Sequence, residues 1–161
     1  MNEFFVEQMR RVYEEHRQEL FTYALALTRD RAAAEDAIHN AFARLLRRGT
    51  APADLRPYVF RCVRNAAVDG LRQGRRHEDG IFALACDAEG TAPADSGIAE
   101  EVDRLLAELS SDEREAIVLK VVDALTLQEV ADVRGVSVNT AASWYRRGLE
   151  KLRVLWEERV T

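Results

Sequence analysis

The chain has 161 residues, 47% of them hydrophobic and 32% charged, with a formal net charge of −5. This is the composition of a soluble globular protein, and no run approaches the roughly 18 apolar residues of a membrane span. Ala, Leu, Arg and Glu are abundant and favour helix, and the length allows one domain or two small ones.

The first predicted element runs from Phe5 to about Leu27, with Val12, Leu20, Tyr23, Ala24 and Leu27 at roughly helical spacing. Arg29, Asp30 and Arg31 break it. A second helix runs from about Ala32 to Arg48, with Ala34, Ile38, Ala41, Phe42, Leu45 and Leu46 on one face. Gly49 to Ala53 is a loop. Asp54 can cap a third helix, and Pro57 is tolerated in its first turn. That helix turns Tyr58, Val59, Cys62, Val63, Ala66 and Leu71 inward, and Arg61, Arg64, Arg72, Arg75 and Arg76 outward. From about Gln73 to Gly97 the helical period disappears among glycines and acids, which reads as a mobile linker. Helix returns at about Ile98 to Leu109, and Ser110 with Glu113 forms a capping box ahead of Glu115 to Ala124. No strand alternation and no internal repeat is visible.

The stretch from Thr126 to Arg147 reads as a helix-turn-helix. Thr126 and Glu129 are spaced as a capping box. Ala131 is small where two helices must cross. Gly135 sits at the turn, where a positive φ is cheap only as glycine. Ser137 can cap the second helix, which extends to Trp156. That helix offers Asn139, Thr140, Ser143, Arg146 and Arg147 to solvent, where they can reach base edges and phosphates. An ordinary helical hairpin with a glycine turn would share part of this pattern.

Charge is distributed unevenly. Residues 1–76 carry +4, residues 77–115 carry −10 and residues 116–161 carry +1. Within the first block, residues 44–76 hold 9 Arg against Asp54 and Asp69. A basic segment, an acidic middle and a near-neutral helix-turn-helix are three different electrostatic surfaces. The fold expected is all-α: two small helical domains, residues 1–76 and 98–161, joined by a flexible acidic linker over residues 77–97.

Both halves together resemble a bacterial RNA polymerase sigma factor of the extracytoplasmic-function group. Residues Ala34 to Phe42, and Pro57 to Arg72 with Arg75 and Arg76, resemble region two. Leu109 to Leu119 followed by the helix-turn-helix resembles region four. The family often has Trp where Tyr58 stands, Gln-Glu where His39 and Asn40 stand, and Lys or Arg where Ala142 and Trp144 stand. The resemblance implies that Glu35, Asp36, His39 and Asn40 dock on core RNA polymerase. Arg61, Arg64, Asn65, Arg72, Arg75 and Arg76, with the Gly49 to Ala53 loop, would meet the minus-ten element of promoter DNA. Ser137, Asn139, Thr140, Ser143, Arg146 and Arg147 would meet the minus-thirty-five element. The linker would thread a positively charged polymerase channel, and an anti-sigma factor would be a partner.

Each assignment has a plainer counterpart. The acidic helix could be an ordinary solvated face, the arginine stripe a solubilising one and the linker a simple tether. Phe42 and Ile38 read as core, Asp69 as the partner of a nearby Arg, and Trp144 as core or as a contact to a thymine methyl. The competing functions are a stand-alone helix-turn-helix regulator and a sigma mimic that sequesters an anti-sigma protein. His16, His39 and His77 lack ligand spacing, so no metal is expected. Paired acids without a nucleophile or phosphate loop argue against an enzyme, and no cofactor is expected. Cys62 and Cys86 suit a reducing cytosol. The first residues, with Glu3 among them, are unlike a secretory signal, and no membrane insertion is expected.

Overall fold

The computed structural model describes residues 2–77 and 96–160, with the backbone alone for residues 74–77 and 96–99. Helix α1 (Glu3–Thr28) starts where the Asn2 side chain accepts the Phe4 N–H. It stops at Arg29, whose backbone is left-handed at φ 56 and whose N–H donates to the Leu25 carbonyl. Asp30 then caps α2 (Arg31–Arg48) by accepting the Ala32 N–H at 3.2 Å. Two residues therefore reverse the chain, which is why the Arg29–Arg31 break in the period marks a tight antiparallel pair. Gly49, at φ 72, ends α2. Helix α3 (Leu55–His77) carries Pro57 in its first turn, where the missing N–H has no helical partner to lose. It remains helical past Gln73 to His77, and helix resumes at Ser96, so the expected linker is helical at both of its ends; residues 78–95 lie outside the described residues.

The core of this half is small-to-large packing. Alanines 34, 37 and 41 of α2 and 66 and 67 of α3 let the backbones approach. Leu20, Tyr23, Leu45, Val59, Phe60 and Val63 fill the space between them, each worth about 1.5–3 kcal/mol of burial. Phe60 is 1% exposed although periodicity did not assign it inward.

In the second half, α4 (Ser96–Ala107) leads to α5 (Ser111–Ile117), which begins with the reciprocal Ser110–Glu113 capping box. Arg114 reaches back to donate to the Leu106 and Leu109 carbonyls, satisfying the end of α4. A π-helical turn, Val118–Val122, continues α5 directly. Then α6 (Leu127–Arg134) and α7 (Val138–Val160) form the helix-turn-helix, with α7 running past Trp156. Lys151–Glu113 (2.8 Å) and Arg159–Glu101 (2.7 Å) tie α7 to α5 and α4.

The two halves pack on each other: α3 lies against α6, and α1 against the π turn and α5. Their buried side chains form one continuous cluster, from Phe5 to Ala67 and from Ala116 to Ala141. Among the described residues, no helix is long and apolar enough to cross a membrane.

Candidate nucleic-acid and polymerase interfaces

The helix-turn-helix is built as its sequence specified. Thr126 Oγ1 accepts the Glu129 N–H at 3.1 Å, and Glu129 Oε1 accepts the Thr126 N–H at 3.0 Å. Gly135, at φ 67, closes α6 on the Ala131 carbonyl, and the Val136 N–H reaches the same carbonyl at 3.0 Å. Ser137 Oγ accepts the Thr140 N–H at 3.1 Å and so starts α7. Val130, Ala131, Val133 and Ala141 are buried between the helices. Gly148 allows the closest approach: a Cβ there would sit 3.0 Å from Ile117 Cγ1.

On α7, Ser137, Asn139, Arg146 and Arg147 are exposed, while Thr140 and Ser143 are half-buried. The Thr140 hydroxyl is engaged with Ser137 at 2.9 Å, and the Arg147 side chain leans on the Ser143 carbonyl at 3.4 Å. Trp144 packs against the core, with the Arg134 guanidinium 4.7 Å from its ring centroid. The open choice for Trp144 thus falls on the core side, and the cation–π contact fixes α6 against α7.

On α3, Arg61, Asn65 and Arg72 form an exposed stripe. Arg64 departs from the expected outward orientation. Its Nε donates to Glu115 Oε1 at 2.9 Å, across the interface between the halves, and only 24% of its side chain is exposed. Burial weighs against the Arg64 cation, but the hydrogen bond and charge of Glu115 outweigh it and raise its pKa. Arg75 and Arg76 continue the helix, their side chains outside the described residues. Asp69 pairs with Arg44 at 3.5 Å, as its sequence context suggested. Arg48 donates to the Tyr58 hydroxyl at 2.7 Å, which steadies the start of α3 beside the Gly49 loop.

On α2, Glu35, Asp36, His39 and Asn40 are all exposed, so the stripe expected to dock on a partner is free to do so. Glu35 reaches Arg31 one turn away at 3.5 Å. Glu35, Asp36 and His39 rim an open cleft of about 800 Å³ between α1 and α2, with Tyr13, Phe21, Ile38 and Phe42 below. Phe42 meets Tyr13 edge-to-face at 5.3 Å, and Ile38 is 7% exposed, so both serve packing first.

Sequence reasoning did not find the charged groups buried where the halves meet. Glu115 is joined to Tyr23 and Arg64; Arg56 donates to the Asp123 carbonyl at 2.8 Å. Burial first, and the Glu115 charge second, hold the Tyr23 phenol well above its usual range. Asp123 is 1% exposed, and neither carboxylate oxygen has a hydrogen-bond partner. Burial, then the charge of Glu19, raise its pKa to about 8 against the pull of Arg56. The only signal available for these groups was their pairing across long stretches of chain, which periodicity does not carry.

Comparison with known proteins bears on both halves. Residues 12–77 match the family model for sigma-70 region 2, and residues 99–152 that for sigma-70, region 4. RNA polymerase sigma factor CarQ of Myxococcus xanthus is 31% identical over 154 residues, 91% of this chain and 88% of that protein. ECF RNA polymerase sigma factor SigL of Mycobacterium tuberculosis is 29% identical over 160 residues, 93% of this chain and 89% of that one. Sigma factor RpoE of Bartonella quintana, solved in complex with the anti-sigma factor NepR, shares the fold at a TM-score of 0.72 and 21% identity. That match covers 97% of this chain and 98% of that one. CnrH, solved with the cytosolic domain of CnrY, shares it at 0.69 and 19%, covering 93% and 88%.

Proposed function

The chain belongs to the extracytoplasmic-function group of sigma-70 RNA polymerase sigma factors, and on that footing we propose which residues do its work. It binds core RNA polymerase, recognises promoter DNA and promotes transcription initiation. Region two takes residues 1–76, the linker 77–97 and region four 98–161. In region two, Glu35, Asp36 and His39 meet core polymerase at the edge of the α1–α2 cleft, with Asn40 exposed beside them on α2. A cleft of mixed charge, with Arg17 and Arg31 beside Glu35 and Asp36 and with aromatic side chains in its lining, suits an amphipathic helical partner.

Arg61, Asn65 and Arg72 meet the minus-ten element, together with Arg64, Arg75 and Arg76. Arginines on one helix face neutralise phosphates and stack on unpaired bases. Asn139 reads base edges in the minus-thirty-five major groove, aided by Ser143, while Arg146 and Arg147 hold phosphate. Ser137 and Thr140 form the start of that helix and lie at the groove edge, with Ser137 exposed and capping the Thr140 N–H. The observation that carries this reading is the order of the two region matches, each covering a helix with exposed candidate contacts, Arg61, Asn65 and Arg72 on α3 and Asn139, Arg146 and Arg147 on α7.

The chain acts as a specificity subunit and not as an enzyme, works in the cytoplasm, and answers to an anti-sigma factor. The complexes in which its structural neighbours were solved support the last point. Size-exclusion chromatography of the full chain with purified core polymerase tests the assignment. Co-elution that weakens in a Glu35→Arg, Asp36→Arg variant supports it. A chain that passes core polymerase unbound, yet holds duplex DNA alone as a dimer, would make it a stand-alone regulator.

A further inference from the structure

Glu115 sits on α5, in region four, but its side chain is built into region two. It is 7% exposed. Oε1 accepts the Tyr23 hydroxyl at 2.7 Å and the Arg64 Nε at 2.9 Å. Oε2 lies 3.0 Å from Arg134 Nη1, at ion-pair distance without hydrogen-bond geometry. Close by, the Arg61 guanidinium passes over Gly135 at the end of α6, where a Cβ would sit 3.5 Å from Nη2. The first helix of the helix-turn-helix therefore lies across part of the arginine stripe of α3. Carboxylate and phosphate oxygens satisfy a guanidinium in the same way.

We propose that Glu115 is an internal latch: it holds the two halves closed by occupying Arg64 in place of promoter phosphate, and minus-ten contact requires it to let go. This rests on the reading that Arg64 serves the minus-ten element. The exchange is built to be reversible. On opening, Arg64 trades one anion for another. Glu115 loses Tyr23 and Arg64 but keeps Arg134, which lies in region four with it, 3.0 Å away, so its charge is not left unpaired. The Tyr23 hydroxyl, 0% exposed when closed, gains water. The α3–α6 apolar contact favours closure in the free chain, and engagement of polymerase and DNA opposes it.

The test uses the full chain without polymerase. Glu115→Gln keeps the shape and removes the charge; Tyr23→Phe removes one interdomain hydrogen bond and leaves the ion pair. Hydrogen exchange over α3 and α6 reads closure, and a short mixed-sequence single-stranded DNA reads access to the stripe. Glu115→Gln should speed exchange on the facing sides of α3 and α6. It should tighten DNA binding about tenfold, the shift expected for losing a charge-assisted hydrogen bond. Tyr23→Phe should move both readouts the same way by less. Wild-type exchange and binding in Glu115→Gln would overturn the latch. Faster exchange with unchanged DNA affinity would reduce Glu115 to a structural tie and refute masking. If Glu115→Gln unfolds by circular dichroism, Tyr23→Phe carries the same outcomes. Failure of the sigma assignment itself would show separately, as a wild-type chain that does not bind core polymerase.

Discussion

Asp123 offers a perturbation whose size follows from the structure. Its carboxyl is 1% exposed, unpartnered, and faces the Glu19 charge from α1 and the Arg56 cation from α3. Folded, it titrates at about 8; unfolded, near its ordinary 3.8. Between about pH 4 and pH 8 the folded chain holds a proton that the unfolded chain has released, so stability falls as pH rises through that window. The contribution is fully present below the unfolded value and lost once the pH passes the folded one. At ~1.4 kcal/mol per unit, the displacement is worth about 6 kcal/mol at most, and about 4 kcal/mol between pH 5 and pH 8. For a chain of this length that is roughly 10 °C in midpoint. Asp123→Asn keeps the shape and removes the titration. Urea and thermal unfolding of both proteins at matched pH should give near-equal stability near pH 4, with Asp123→Asn pulling ahead as pH rises to 8. Groups common to both proteins cancel in the difference. Parallel curves across the range would show that Asp123 is hydrated or paired in solution and that this burial argument is wrong.

Other outcomes follow from single contacts. Gly148→Ala should destabilise region four by about 1 kcal/mol in urea melts despite alanine's better helix propensity, because its Cβ would press on Ile117 Cγ1. Asn139→Ala should cost about 1–3 kcal/mol of promoter affinity and relax preference at one or two base pairs in a selection on randomised upstream elements. Arg147→Ala should weaken all sequences alike and reduce the salt slope by about one unit in binding titrations. Arg61→Ala with Arg72→Ala should impair promoter opening in permanganate footprints without shifting the melting midpoint, since both side chains are exposed.

What was legible in the sequence was local. The Thr126–Glu129 and Ser110–Glu113 boxes, the Gly135 turn and the Ser137 cap each involve residues within a few positions of one another. Hydrogen bonds of that range are set by residue type and spacing, so the helix-turn-helix could be placed almost residue by residue. The α2 stripe of Glu35, Asp36, His39 and Asn40 came out exposed because a 3.6-residue period fixes which face a helix buries. Arg64 came out otherwise for the same reason in reverse. Its period places it on the rim of the inner face, and what settles its direction is Glu115, 51 residues away. Tyr23 finds that carboxylate across 92 residues. Phe60 and Gly148 were missed because each is buried by a neighbouring helix rather than by the pattern of its own. The π turn at Val118–Val122 has no composition of its own to announce it.

The central claim is that this chain directs core polymerase to promoters. The direct measurement is in-vitro transcription from a pool of genomic fragments, with purified core enzyme and the full chain, followed by mapping of RNA 5′ ends. Discrete start sites should appear only when both are present, share two upstream elements, and fade with Asn139→Ala at the upstream one and with Arg61→Ala, Arg72→Ala at the downstream one. Start sites identical with and without the chain, while core polymerase remains competent with another sigma factor, would contradict it.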